Sequence, residues 1–162
     1  MKMKKTTFIT QGAVIAAIYA VLVFVFDYWS FGPIQFRVAE ALTILPVFTP
    51  AAVPGLFIGC LIANITGGAV IWDIVFGSLA TLIGACGTYA LRKHKWLAPL
   101  PPIVANTIIV PFVLAYVYMA EGTIPFFMLT VGIGEVISCY VLGMILYKVL
   151  NNYRSVIFKN ED

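Results

Sequence analysis

Charge is what this sequence lacks most. Asp, Glu, Lys and Arg make up 10% of the 162 residues against 62% for hydrophobic ones, where a water-facing domain carries about 25% charged residues. So little charge cannot coat a surface in water, which excludes a soluble globular domain and turns the apolar segments toward lipid and toward one another. Histidine is almost missing: His94 sits between Lys93 and Lys95 and reads as a solvated loop residue. The three cysteines, Cys60, Cys86 and Cys139, lie inside apolar runs at no metal spacing, so they read as small core residues and not as ligands or a disulfide framework. No nucleophile–base pair, phosphate-cradling glycine loop or nucleotide-binding domain is visible. The chain is therefore expected to be no enzyme, to use no cofactor or metal, to bind no nucleic acid and to hydrolyse no ATP. An internal inverted repeat of the secondary-transporter kind is also missing. The length leaves room for one domain, 1–162.

What is present is a succession of apolar runs. Residues 6–26, 41–72, 74–91 and 96–120 contain no acid, lysine or arginine, and 122–147 is broken only by Glu135. A spanning helix needs roughly 20 residues, so four of these runs fit one helix each. The basic start of the chain is followed by no convincing small-residue cleavage site, and the first run is kept as a mature helix. Run 41–72 is too long for one straight span and carries Pro46, Pro50 and Pro54. Each proline removes a backbone donor and clashes with the preceding turn, so this run predicts two short helices joined by a turn.

Basic residues support the same count. Lysine and arginine accumulate on the cytoplasmic side of membrane proteins. With two segments in 41–72, Lys2, Lys4, Lys5, Arg92, Lys93, Lys95, Lys148, Arg154 and Lys159 all fall on one side, nine of the ten basic residues. The expected fold is an all-α bundle of six transmembrane helices, near 8–26, 38–48, 51–66, 73–91, 100–119 and 125–148, with both termini cytoplasmic.

The opposite side has a different chemistry. Asp27, Arg37, Glu40, Asn64, Asp73 and Glu121 fall at or near the outer helix ends, and Glu135 lies deeper, with Asn106 on the fifth helix. An intramembrane acid marks function by default, and no basic residue within its own span can pair with Glu135. Arg37 and Glu40, three apart, can neutralise each other on a helix face, and Asn64 can cap a helix end. Tyr28 and Trp29 in the outer loop read first as an interfacial aromatic belt, and otherwise as stacking rings of a lid. Small residues repeat at four-residue spacing, Gly12, Ala16 and Ala20 with Ala13 and Ala17 alongside, and again at Gly55, Gly59 and Ala63. Such stripes allow helices to pack closely.

The stretch Ile34-Gln35-Phe36-Arg37-Val38-Ala39-Glu40-Ala41-Leu42-Thr43-Ile44-Leu45-Pro46, continued by residues 48–64, resembles the signature of queuosine-precursor transporters of the QueT type. Residues 73–82, opening Asp73-Ile74-Val75-Phe76-Gly77, and Pro101-Pro102-Ile103-Val104-Ala105-Asn106 are similar to later blocks of that family. The resemblance covers nearly the whole chain in order. It implies a substrate-binding S component of an energy-coupling factor (ECF) transporter, which works with a transmembrane coupling subunit and two ATPase subunits in the lipid bilayer.

The implied ligand is a 7-deazaguanine. A carboxylate can accept from its ring N–H and exocyclic amine together, and Asn serves both donors and acceptors. On that basis Glu135 is expected at the guanine-like edge, with Asn106 and Asn64 assisting. Asp73 or Glu40, with Arg37 nearby, would suit a ligand bearing an aminomethyl cation. Trp72, Tyr28 or Trp29 would stack on the base. The family's first-helix Ala-x-x-x-Ala pattern is matched by Ala13 with Ala17 and by Ala16 with Ala20, which implies docking on the coupling subunit. An S component for riboflavin or thiamine, or a membrane scaffold without a ligand, is the alternative.

Overall fold

The computed structural model describes residues 4–26 and 37–158, and among these every regular element is helical. Helix α1 runs Lys5–Val25 and is followed by a 3-10 helix, Val38–Val47. Then come α2 (Ala52–Thr66), α3 (Ile71–Ala90), α4 (Leu100–Tyr116), α5 (Ile124–Asn152) and a short α6 (Arg154–Ile157). Apolar runs of this kind must satisfy their backbone groups internally when no water is at hand, which helices do. α1, α3 and α5 are long and apolar enough to cross a bilayer, and the 3-10 helix, α2 and α4 are shorter apolar helices. The expected all-α membrane bundle is what forms, with six apolar helices and the short α6 among the described residues.

Burial is inverted relative to a soluble bundle. Arg37, Glu40, Asn64, Asp73, Asn106 and Glu135 are buried, whereas Ile9, Val14, Ile18 and Val25 on α1 and Leu129, Ile133 and Ile145 on α5 are exposed. That distribution suits lipid outside and polar contacts inside. Cys60 and Cys139 are buried as expected, but Cys86 is exposed. The packing face of α3 runs through Gly77, Ala80, Thr81, Gly84, Ala85 and Thr88, and Cys86 lies off that stripe. His94 is exposed in the α3–α4 loop.

Small residues bring the helices together. A Cβ at Gly55 of α2 would lie 2.7 Å from the Gly12 carbonyl oxygen of α1, and one at Gly59 would lie 2.9 Å from the Ala16 carbonyl oxygen. α3 and α4 meet as closely, since a Cβ at Gly84 would stand 2.6 Å from Cα of Pro102. Backbone contact of this kind is how membrane helices associate when apolar burial gives no advantage over lipid.

The segment expected as a helix over 38–48 is a 3-10 helix of 10 residues. At about 2.0 Å per residue it extends roughly 20 Å, short of the ~30 Å hydrocarbon layer. Every residue from Ala39 to Pro46 is buried, and the segment packs on α1, α2, α3 and α5. Backbone that departs from an α-helix is tolerated at membrane depth where protein surrounds it. The turn leading into α2 is tied to α1 by the Thr49 hydroxyl, which donates to Gln11 Oε1 at 2.7 Å.

Candidate functional site

Two polar groups lie inside the end of the bundle opposite the Arg92, Lys93 and Lys95 loop. The deeper one is built by α1, the 3-10 helix, α4 and α5. Glu135 closes the first 12 residues of α5, about 16 Å of helix below Ile124. From Val136 to Leu142 the helix is of π type, a bulge that occurs often at functional sites. Together with the preceding turn, it turns Glu135, Ser138, Cys139 and Gly143 inward. Glu40 enters from the 3-10 helix. One side-chain ligand atom each from Glu40, Glu135 and Cys139 lie within 4.8 Å of one another, all three residues buried.

The partners of these groups are specific. The Tyr19 hydroxyl donates to Glu40 Oε1 at 2.5 Å, and the Cys139 thiol donates to Glu135 Oε2 at 3.1 Å. Thr43 donates to the Glu40 carbonyl at 2.6 Å, holding the 3-10 turn that presents the carboxylate. Asn106 of α4 lies against both carboxyl groups, yet its Nδ2 makes no well-directed hydrogen bond, and neither does Glu40 Oε2. A buried polar atom left without a partner is destabilising by about 1–3 kcal/mol. The deep group therefore holds an unsatisfied acceptor, Glu40 Oε2, and an unsatisfied donor, Asn106 Nδ2, with the Ser138 hydroxyl also unpartnered. Glu40, Glu135 and Cys139 could also present three ligand atoms to a metal ion, although the thiol would first have to lose its proton.

The shallower group joins α2 to α3. Asp73 Oδ2 accepts from the Tyr118 hydroxyl at 2.8 Å. Asn64 Nδ2 and Asp73 Oδ1 both approach Gly77, at 3.2 Å and 3.3 Å from where a Cβ would stand. Asn64 is inside α2, and its side-chain amide faces Gly77 of α3 and Cys60 of its own helix. Arg37 is buried between the groups and acts electrostatically on Glu40 and Asp73 and on Glu135. The expectation that no basic residue of its own span pairs with Glu135 stands beside this: the nearby cation comes from the start of another element.

Of the expected binding residues, Glu135, Asn106, Glu40, Asn64, Asp73 and Arg37 are thus gathered on the inside of one half of the bundle. Trp72 is not with them. It is 56% exposed and stacks on Phe76 at 6.1 Å. Tyr28 and Trp29 lie outside the described residues. Sequence reasoning missed Tyr19, Cys139, Thr43, Tyr118 and Gly77. The four-residue stripe on α1 offered a sign of Tyr19, which lies three positions after Ala16 on the same face. The stripe itself divides: Ala16 and Ala20 are buried, and Ala13 and Ala17 are exposed.

Comparison with known proteins bears on the family of the chain. No solved structure matches the chain. A curated relative, the queuosine precursor transporter QueT of Lactococcus lactis subsp. cremoris (strain MG1363), is 36% identical over 85 residues, 51% of this chain and 50% of the relative. The match thus spans about half the length of that relative. The family model described as QueT transporter matches residues 9–152. Because that match runs from the first turns of α1 through the whole of α5, the chain belongs to the QueT transporter family, a family of transporters and not of enzymes.

Proposed function

We propose that this protein is the substrate-capture component of an ECF transporter and that it binds a 7-deazaguanine precursor of queuosine in the deep polar group. The observation that carries the reading is the buried pair Glu40 and Glu135 with the Asn106 amide against both. One carboxylate accepts the ring N–H and exocyclic amine of a guanine-like edge as a charge-assisted pair. Asn106 Nδ2 donates to the ring carbonyl. Two carboxyl groups this close do not both ionise without positive charge beside them; Arg37 supplies one cation, and a ligand that brings its own supplies a second. That supports the aminomethyl-bearing base over a neutral analogue. The relative's name supports the substrate class.

One surface feature supports a coupling partner. Ala13 and Ala17 form a smooth exposed step on α1, suited to close approach by another helix, and are assigned to docking on the transmembrane coupling subunit. Two ATPase subunits supply the energy, and both termini are cytoplasmic.

Isothermal titration with 7-aminomethyl-7-deazaguanine, its nitrile counterpart and guanine tests the substrate. Glu135→Gln keeps the shape and turns one acceptor oxygen into a donor facing the ligand's donors. A lost charged hydrogen bond is worth about 1.5–3 kcal/mol, or roughly 10- to 150-fold in affinity. Wild-type affinity in the variant would reduce Glu135 to a structural role. Tight binding of riboflavin or thiamine in place of the deazaguanines would overturn the substrate assignment.

A further inference from the structure

The opposite end of the bundle carries a second kind of chemistry that substrate capture does not use. A cleft of about 420 Å³ lies between the α3–α4 loop and the last turns of α5, lined by Lys95, Trp96, Ile145, Lys148, Asn151 and Asn152 among others. A hollow of about 430 Å³ adjoins it, sharing Lys95 and Trp96 and adding Arg92, Lys93 and His94. No Asp or Glu lines either. Arg92 is already engaged, donating to the Tyr89 carbonyl at 3.0 Å with its guanidinium 4.1 Å from the Tyr89 ring centroid. Lys95 and Lys148, both exposed, are the cations that the first cleft offers.

We propose that this cleft binds the headgroup of an anionic phospholipid. Three features point to lipid as the occupant. The depth is right: α5 has 29 residues, about 43 Å of helix against a hydrocarbon layer of ~30 Å, so its last turns reach headgroup level. The cleft is amphipathic: Trp96 is 60% and Ile145 57% exposed on the apolar side, while two ammonium groups and two amides stand on the other. The charge is complementary: a phosphate oxygen accepts from Lys95 and Lys148, and the amides of Asn151 and Asn152 meet headgroup hydroxyls. Lys95 Nζ stands 5.6 Å from the Trp96 ring centroid, so the tryptophan is placed to report on the occupant.

The test uses the full chain with Trp29 and Trp72 changed to Phe, leaving Trp96 as the sole tryptophan, in nanodiscs of phosphatidylcholine with a minority of phosphatidylglycerol. Brominated chains on one lipid or the other quench Trp96 according to which lipid sits beside it. Brominated phosphatidylglycerol is expected to quench more than its mole fraction allows, and brominated phosphatidylcholine less. Each basic residue near an anionic surface contributes about 1 kcal/mol, close to five-fold, so Lys95→Gln with Lys148→Gln should reduce the preference by roughly 20- to 30-fold. Circular dichroism and a deazaguanine titration check that the double variant is folded. Equal quenching by both lipids would overturn the proposal in favour of an ordinary lipid shell. A preference that survives the double substitution would move it to another surface. If inorganic phosphate added at fixed ionic strength abolishes the preference, the occupant is a free phosphate and the lipid assignment fails.

Discussion

Glu40 has two oxygens with different fates: Oε1 takes the Tyr19 hydroxyl at 2.5 Å, and Oε2 has no hydrogen-bond partner. Tyr19 thereby fixes which oxygen remains for a ligand. Tyr19→Phe removes the hydroxyl and leaves the ring, which is wholly buried, so packing persists while Glu40 loses a donor. A hydrogen bond to a charged group is worth about 1.5–3 kcal/mol, and stability in detergent should fall by that order. Affinity for a deazaguanine should fall as well, because a Glu40 carboxyl freed on both sides can rotate away from the site. A thermal melt and a titration of the same preparation check both, and an unchanged melt would show that the hydroxyl is not what holds Glu40. At this scale the acids were legible and their partners were not. Glu135 stands out as the one charge in a long apolar run, whereas a tyrosine in an apolar helix reads equally as an interfacial anchor. Trp72 failed in the opposite direction, since an aromatic at a helix end near polar residues faces the site or the lipid with the same sequence signature.

On α1, neighbouring alanines belong to different faces of one element. Ala16 meets Gly59 of α2 so closely that even a glycine Cβ would intrude, while Ala17, one residue on, is exposed. Replacing Ala16 with Leu should wedge α1 from α2 and abolish ligand binding and uptake together, since overpacking an interior forces backbone shifts of about 1–3 kcal/mol or more. Ala17→Leu should leave titration of the isolated protein unchanged and abolish uptake in cells, if the exposed step is the proposed docking surface for the coupling subunit. Loss of ligand binding in both variants would make the whole stripe internal packing. The stripe was visible in sequence as spacing, but spacing alone could not assign its two edges. The 3-10 segment is the other lesson of this scale. Prolines at 46, 50 and 54 announced a break, and the Thr43 bond to the Glu40 carbonyl three residues back is local, yet the tighter helix is also enclosed by four neighbours, which no local pattern encodes.

For the whole molecule, sidedness rests on parity. The 3-10 helix and α2 form a hairpin that starts at the polar-site end, turns beside Gln11 and Gly12 of α1, and returns to the end from which it started. Gln11 is about 9 Å of helix beyond Lys5, so the turn lies inside the bundle and not at the level of the basic residues. Because the hairpin returns, the Lys5 end of α1 and the Arg92, Lys93 and Lys95 loop after α3 share one side whatever depth the turn attains. The basic residues of that loop and of the α5 end then share one side, and charge bias is the ground for the proposal that this side is the cytoplasmic one. α4, with 17 residues between the loop and Glu121, separates the two sides directly. In a background with Cys60, Cys86 and Cys139 replaced, Glu121→Cys should react with an impermeant maleimide added to intact cells, and Lys95→Cys should not. Inverted membrane vesicles should give the reverse pattern. Both positions are exposed, so protection at either one reports the membrane and not burial. Labelling of Lys95→Cys from outside would invert the orientation, and would put the paired carboxylates of Glu40 and Glu135 on the side from which a captured substrate could not arrive.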